Sequence, residues 1–167
     1  MNEELTTARL AIQPVTIHDA PFIFELVNTT EWKTFIGDRN VQNLQDAGNY
    51  IRQIISNPDI NYNVVRLQHN QLPVGVVTFI KRTYLPHHDI GFAFLPAYAG
   101  QGLAFEAASA YLSRLRQENF YQPILATTIP ENIRSIRLLE KLGLQFSESV
   151  RLNNEDVLLY ELLPGKP

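Results

Sequence analysis

The sequence predicts an α+β fold with a central, mostly antiparallel twisted sheet of about seven strands flanked by helices. Three observations carry this. Apolar residues recur at helical spacing before residue 57 and again after residue 103, while residues 62–95 switch to strand-like runs. Three of those strands succeed one another with only turn signals between them, the mark of an antiparallel meander. The second half then reads helix, strand, helix and a closing hairpin, so one strand–helix–strand stretch is available for parallel pairing.

Each element follows from its residues. Arg9–Pro14 is the first strand, with Leu10 and Ile12 on one face. Thr16 and Asp19 form a helix start, and Ala20, Ile23, Phe24 and Val27 continue it at helical spacing. Thr30–Ile36 is a short helical piece carrying Trp32 and Phe35. Asn43 caps a third helix striped by Ala47, Tyr50, Ile51, Ile54 and Ile55, and Asn57-Pro58-Asp59 stops it. Tyr62–Gln68, Pro73–Lys81 and His88–Leu95 are the meander strands. A helix from Leu103 to Glu118, a strand from Ile124 to Thr128 and a helix from Asn132 to Leu142 follow, with Gly143 as a left-handed stop. Phe146–Leu152 and Val157–Leu163 pair across Asn153-Asn154.

The chain's 167 residues fit one domain, 1–167, with room for a core that needs no staples. There is no cysteine, so disulfides, a thiol nucleophile and thiolate metal ligation are excluded, and no metal site is expected. A net charge of −3 offers no broad attraction to phosphate backbones, and nucleic acid is not an expected partner. No apolar run reaches membrane-spanning length. Met1–Thr7 is acidic and polar, unlike a signal peptide, and the expectation is a cytoplasmic protein without membrane attachment, either a monomer or a homodimer.

The chemically informative stretch begins where the apolar strand end Phe92–Pro96 meets Ala99-Gly100-Gln101-Gly102-Leu103-Ala104 and a helix starts. Such a junction aims several backbone N–H groups at one spot, and the helix dipole adds positive charge there. Glycines let an anion approach the main chain, which suits a pyrophosphate held without lysines. A plain tight turn explains the same glycines. The turn is neither a Walker loop, lacking the Lys-Ser/Thr pair, nor a dinucleotide fingerprint.

The segment Asn132-Ile133-Arg134-Ser135-Ile136-Arg137-Leu138-Leu139-Glu140-Lys141-Leu142-Gly143-Leu144 sharpens the reading. Together with the glycine turn it resembles the GNAT acetyltransferase superfamily. The turn is similar to that family's Gln/Arg-x-x-Gly-x-Gly/Ala loop, and the later segment to Asn-x-x-Ser-x-x-x-x-Glu-Lys-Leu-Gly-Phe. Thr7-Ala8-Arg9-Leu10 and Asp156-x-x-x-Tyr160-x-Leu162 resemble the branch containing the ribosomal-protein-alanine N-acetyltransferases. The resemblance spans about Ala8 to Leu163.

The resemblance implies a GNAT-like fold splayed between the fourth and fifth strands, with a bulge near Ala93–Phe94. It implies acetyl-CoA as donor. Its pantetheine arm would bond the backbone around Phe94 and Leu95, and its pyrophosphate would sit on the Ala99–Ala104 turn, on N–H groups from Gln101 to Ala104. Asn132 and Ser135 would face the pantetheine and sulfur, with Ser135 stabilising or protonating the thiolate. Two positions depart from the family pattern. Ala99 stands where Gln or Arg is usual, and Leu139 stands where many members have a tyrosine acid.

The activity implied is transfer of the acetyl group to a primary amine, a protein N-terminus or a small molecule, by direct attack in a ternary complex. The alternative is a catalytically weak CoA-binding sensor or interaction module of the same fold. Candidate bases are Asp89, His87, His88 and Glu106. Asp89 reads equally as a strand-edge charge, and Glu106 as a complement to the helix dipole. Trp32 and Phe35 read as core or as a wall of the acceptor pocket, and Tyr160 as channel lining or sheet packing. Lys33, Arg52, Arg66, Lys81 and Arg82 are scattered and read as solvated; Arg134 and Arg137 are within reach of a 3′-phosphate.

Overall fold

The computed structural model describes residues 4–152 and 154–164. The first part of the Met1–Thr7 segment and Asn153 of the expected hairpin turn lie outside the described residues. The strands are β1 (Leu5–Thr6), β2 (Leu10–Pro14), β3 (Ile60–Leu67), β4 (Pro73–Ile80), β5 (Asp89–Phe94), β6 (Ile124–Thr128), β7 (Gln145–Leu152) and β8 (Glu155–Leu162). The helices are α1 (Ala20–Val27), α2 (Thr30–Phe35), α3 (Leu44–Ser56), α4 (Leu103–Gln117) and α5 (Ile133–Lys141). All eight strands form one sheet, ordered β1-β2-β3-β4-β5-β6-β8-β7. The eighth strand beyond the expected seven is β1, two residues long and too short to show an alternating pattern. No helix among the described residues is long and apolar enough to cross a membrane.

Local chemistry explains the boundaries. The N–H and hydroxyl of Thr16 both donate to the Asp19 carboxylate, fixing the entry to α1. Asn43 caps α3 by accepting from the Asp46 N–H at 2.8 Å. Gly143 ends α5 with φ +91°, where a Cβ would be strained.

The sheet buries both faces over its first half. On one face α4, Leu139 of α5, Phe79, Ile90 and Tyr160 form the larger core. On the other, α1, α2 and α3 cover Tyr62, Val64 and Val76. Every adjacent strand pair is antiparallel except β5–β6, which is parallel and touches at a single register point, Asp89 opposite Leu125. The sheet therefore splays at that seam, between the fourth and fifth of the seven strands expected from sequence. The β4–β5 register runs unshifted from Gly75–Phe94 to Ile80–Asp89, so the bulge expected near Ala93–Phe94 is absent from this ladder. Divergence of β6 after one rung opens the gap instead.

Candidate functional site

Because β5 and β6 run parallel, the chain leaves both at the same end of the sheet, and each then enters a helix. The N-termini of α4 and α5 thus gather at the mouth of the splay. Ligands of α/β sheets sit at such carboxyl ends for this reason.

The open edge itself is main chain. The Leu95 N–H bonds the Val74 carbonyl at 2.9 Å, so Ala93 and Gly91 also face β4, by the alternation of an antiparallel ladder. Phe92 and Phe94 consequently turn their N–H and C=O groups toward the diverged β6, with no ladder partner there. The Phe94 ring lies over Gly75, where a Cβ would come within 2.5 Å of it. Glycine at 75 leaves room for the Phe94 ring against β4, while Leu95 is buried on the opposite face.

At the mouth, Pro96–Tyr98 makes a 3-10 turn ending at Ala99, which is extended and exposed. Gly100 (φ +75°) and Gly102 (φ +76°) are both left-handed, and Gly102 is the N-cap of α4. Gly100 has open space where a Cβ would stand. The turn through Gln101, Gly102, Leu103 and Ala104 therefore presents backbone to solvent at a helix N-terminus, with Leu103 buried beneath as its anchor.

Two residues outside the turn hold it. The Arg9 guanidinium donates through Nη1 to the Gln101 carbonyl at 3.0 Å and through Nε to the Glu106 carboxylate at 2.7 Å. Glu106 also accepts from the Thr7 hydroxyl at 2.6 Å and the Arg9 N–H at 3.0 Å. Burial works against ionisation of Glu106, but these donors outweigh it and hold its pKa below the ordinary value. Glu106, a candidate base from sequence, is thus a clamp between the β1–β2 turn and α4, with its oxygens occupied. In the sequence Arg9 stands out only as part of Thr7-Ala8-Arg9-Leu10, and its position against the glycine turn needs the fold.

At the mouth's other side, the Asn132 side chain accepts from the Ser135 N–H at 3.2 Å, capping α5. This cap joins the i, i+3 pair that the sequence places on one helix face, and both residues are half-buried. Leu139, in the place of the family's tyrosine, is 1% exposed and part of the larger core.

The remaining candidates separate by face. Asp89 is buried at the closed end of the splay, on the face of α1–α3. Arg82 Nε donates to both its oxygens, at 2.9 and 3.0 Å. Burial raises the Asp89 pKa, and the Arg82 charge and hydrogen bonds oppose that rise. Arg82 is therefore not a solvated charge but the counter-ion of a buried carboxylate, and only the fold brings the two together. His88, next in sequence, points to the opposite face and stacks on Phe79 at 4.7 Å. Trp32 is buried in the α1–α3 core, and its Nε1 is buried without a partner. Phe35 is half-buried at the end of α2. Tyr160 is on the other face, packed edge-on to Phe146 within the α4–α5 core. The two faces thus set it apart from Trp32. Among the described residues no group of acidic, histidine or cysteine side chains is placed to hold a metal.

Comparison with known proteins accords with this architecture. The chain is 28% identical over 165 residues to an uncharacterised N-acetyltransferase, YnaD, of Bacillus subtilis, covering 95% of this chain and 96% of that one. It superposes on a GNAT-family acetyltransferase from Bacillus anthracis with a TM-score of 0.82 at 26% identity, over 96% and 98% of the two chains. It also shares its fold with RimL, a ribosomal L7/L12 alpha-N-protein acetyltransferase, with a TM-score of 0.83 at 14% identity, over 98% and 95%. Residues 9–145 match the acetyltransferase (GNAT) domain, and the chain belongs to the GNAT family of acetyltransferases.

Proposed function

We propose that this acetyltransferase takes its acetyl group from acetyl-CoA and delivers it to a primary amine by direct attack within a ternary complex. The observation that carries this reading is the single-rung β5–β6 seam running into the left-handed glycine turn that caps α4. An extended pantetheine arm fits a strand edge presented by Phe92 and Phe94. A pyrophosphate fits the N–H groups from Gln101 to Ala104, and the α4 dipole favours it.

On this reading the residues divide the work. The amine approaches from the α1–α3 face, where Trp32 and Phe35 stand and where Asp89 accepts its proton, directly or through water. Burial raises the Asp89 pKa, which favours proton uptake there, against the opposing charge of Arg82. Ser135, in the first turn of α5, supports the departing thiolate, aided by the helix N-terminus. Leu139 cannot donate a proton, so Ser135 is the acid that remains there. Main-chain N–H at Phe94 polarises the thioester carbonyl. Residues 1–167 act as one domain, since strands from both chain halves complete the same sheet.

The test is thiol release from acetyl-CoA, followed against a panel of small amines and of peptides with free N-termini. Turnover with an amine supports the proposal and sorts the two acceptor classes. Tight CoA binding with no turnover on any amine would instead favour a CoA-binding module, the reading to which a buried Leu139 lends weight.

A further inference from the structure

Arg9 lies outside the glycine turn in sequence but against it in space. Its side chain is 49% exposed, yet it is held at two points, Nε on Glu106 and Nη1 on the Gln101 carbonyl. Nη2 has neither of these partners. It stands 3.6 Å from where a Cβ of Gly102 would be, at the N-cap of α4. The same side chain lines an open cleft of about 520 Å³ with Gly102, Phe105, Ser109, Ser113 and Lys141. A guanidinium held through Nε and Nη1, whose Nη2 has no hydrogen-bond partner among the described residues, loses little freedom on binding an anion at this turn.

The turn lacks a side-chain donor at its own first position, Ala99. Arg9 comes from the opposite end of the chain, at the start of β2, and reaches the same turn. We infer that Arg9 Nη2 donates to the pyrophosphate of the CoA donor and takes the side-chain contact that Ala99 cannot make. This rests on the assignment of the glycine turn to CoA. Glu106 then aims the guanidinium at the turn and partly offsets its charge when no donor is bound.

The test measures binding of CoA and of S-acetylpantetheine, which lacks the pyrophosphate, by calorimetry. R9A is expected to weaken CoA about tenfold, the effect of one charge-assisted hydrogen bond, and to leave S-acetylpantetheine unchanged. Inorganic pyrophosphate is expected to compete with CoA less well on R9A than on the parent protein. E106Q separates contact from support, because it keeps the side chain's size and removes its charge. If Arg9 touches phosphate, R9A loses clearly more CoA affinity than E106Q, whose amide oxygen still accepts from Arg9 while the guanidinium keeps its charge. Equal loss of CoA affinity in E106Q and R9A would mean that the pair only props the turn, and would overturn the inference. So would an R9A variant that binds CoA as the parent does. If the parent itself fails to bind CoA, the assignment of the turn fails, a different result from either of these.

Discussion

Replacing Gly102 by Asp and, separately, by Asn isolates the charge at the glycine turn. Gly102 has φ +76° and ψ 6°, a region that Asn and Asp enter more readily than other non-glycine residues. The two side chains match in size, and a Cβ at this position meets Arg9 Nη2 at 3.6 Å, an ordinary contact. Both variants therefore make the same demand on the backbone and differ by one charge. A carboxylate ~4 Å from a phosphate charge is opposed by ~4 kcal/mol at an effective dielectric of 20 and by ~1 kcal/mol in bulk water. Gly102 is exposed and Arg9 offsets part of the added charge, so the lower end applies. A penalty of ~1–2 kcal/mol corresponds to about five- to thirtyfold weaker CoA for G102D than for G102N. Calorimetric titration at low and high salt measures it, and salt is expected to narrow the difference. Thermal melts of the two variants should agree. Equal CoA affinity in well-folded G102D and G102N would refute the placement of phosphate at this turn.

S135A is expected to lower turnover more than CoA affinity, with its melt unchanged, because the α5 cap uses the Ser135 backbone N–H and not its hydroxyl; steady-state kinetics beside calorimetry shows the split. N132A removes that cap and is expected to cost ~1 kcal/mol of stability in urea titrations. For Asp89, the base form is the ionised one, so the rate rises with pH through its pKa. Burial shifts that limb of kcat/KM upward from the ordinary aspartate value, R82Q moves it further up by removing the opposing charge, and D89N abolishes it. G75A drives a Cβ into the Phe94 ring and is expected to destabilise the protein by ~1–3 kcal/mol in urea titrations.

Most of the fold is legible in the sequence because its periods are clean. The α3 stripe and the meander need no tertiary information, and α4 and α5 begin within a residue of the expected positions. The exception is β1, whose two residues are ordered by pairing with Ile12 and Ala11 rather than by their own pattern. The glycine turn and the Asn132–Gly143 segment are legible because backbone conformation and capping restrict residue type locally. Arg9 with Glu106, 97 residues apart, and Arg82 with Asp89 are not. A charge in a sequence reads as solvated until the fold shows what it faces. The candidate acceptor residues are hardest to read, since burying Trp32 and packing Tyr160 satisfy the same hydrophobic demand whichever face they occupy.

The β5 edge has a consequence for how such a protein varies. Phe92 and Phe94 offer peptide groups to the gap, and every residue but proline carries the same pair of groups. On the proposed placement of the donor along this edge, substitution at these positions leaves its recognition in place, and drift there is filtered by packing. On that proposal the donor site is inherited with the chain's topology, and the side chains of the α1–α3 face are left to diverge toward new acceptors. Relatives that share this architecture at low identity are therefore expected to agree on what they take from and to differ on what they give to.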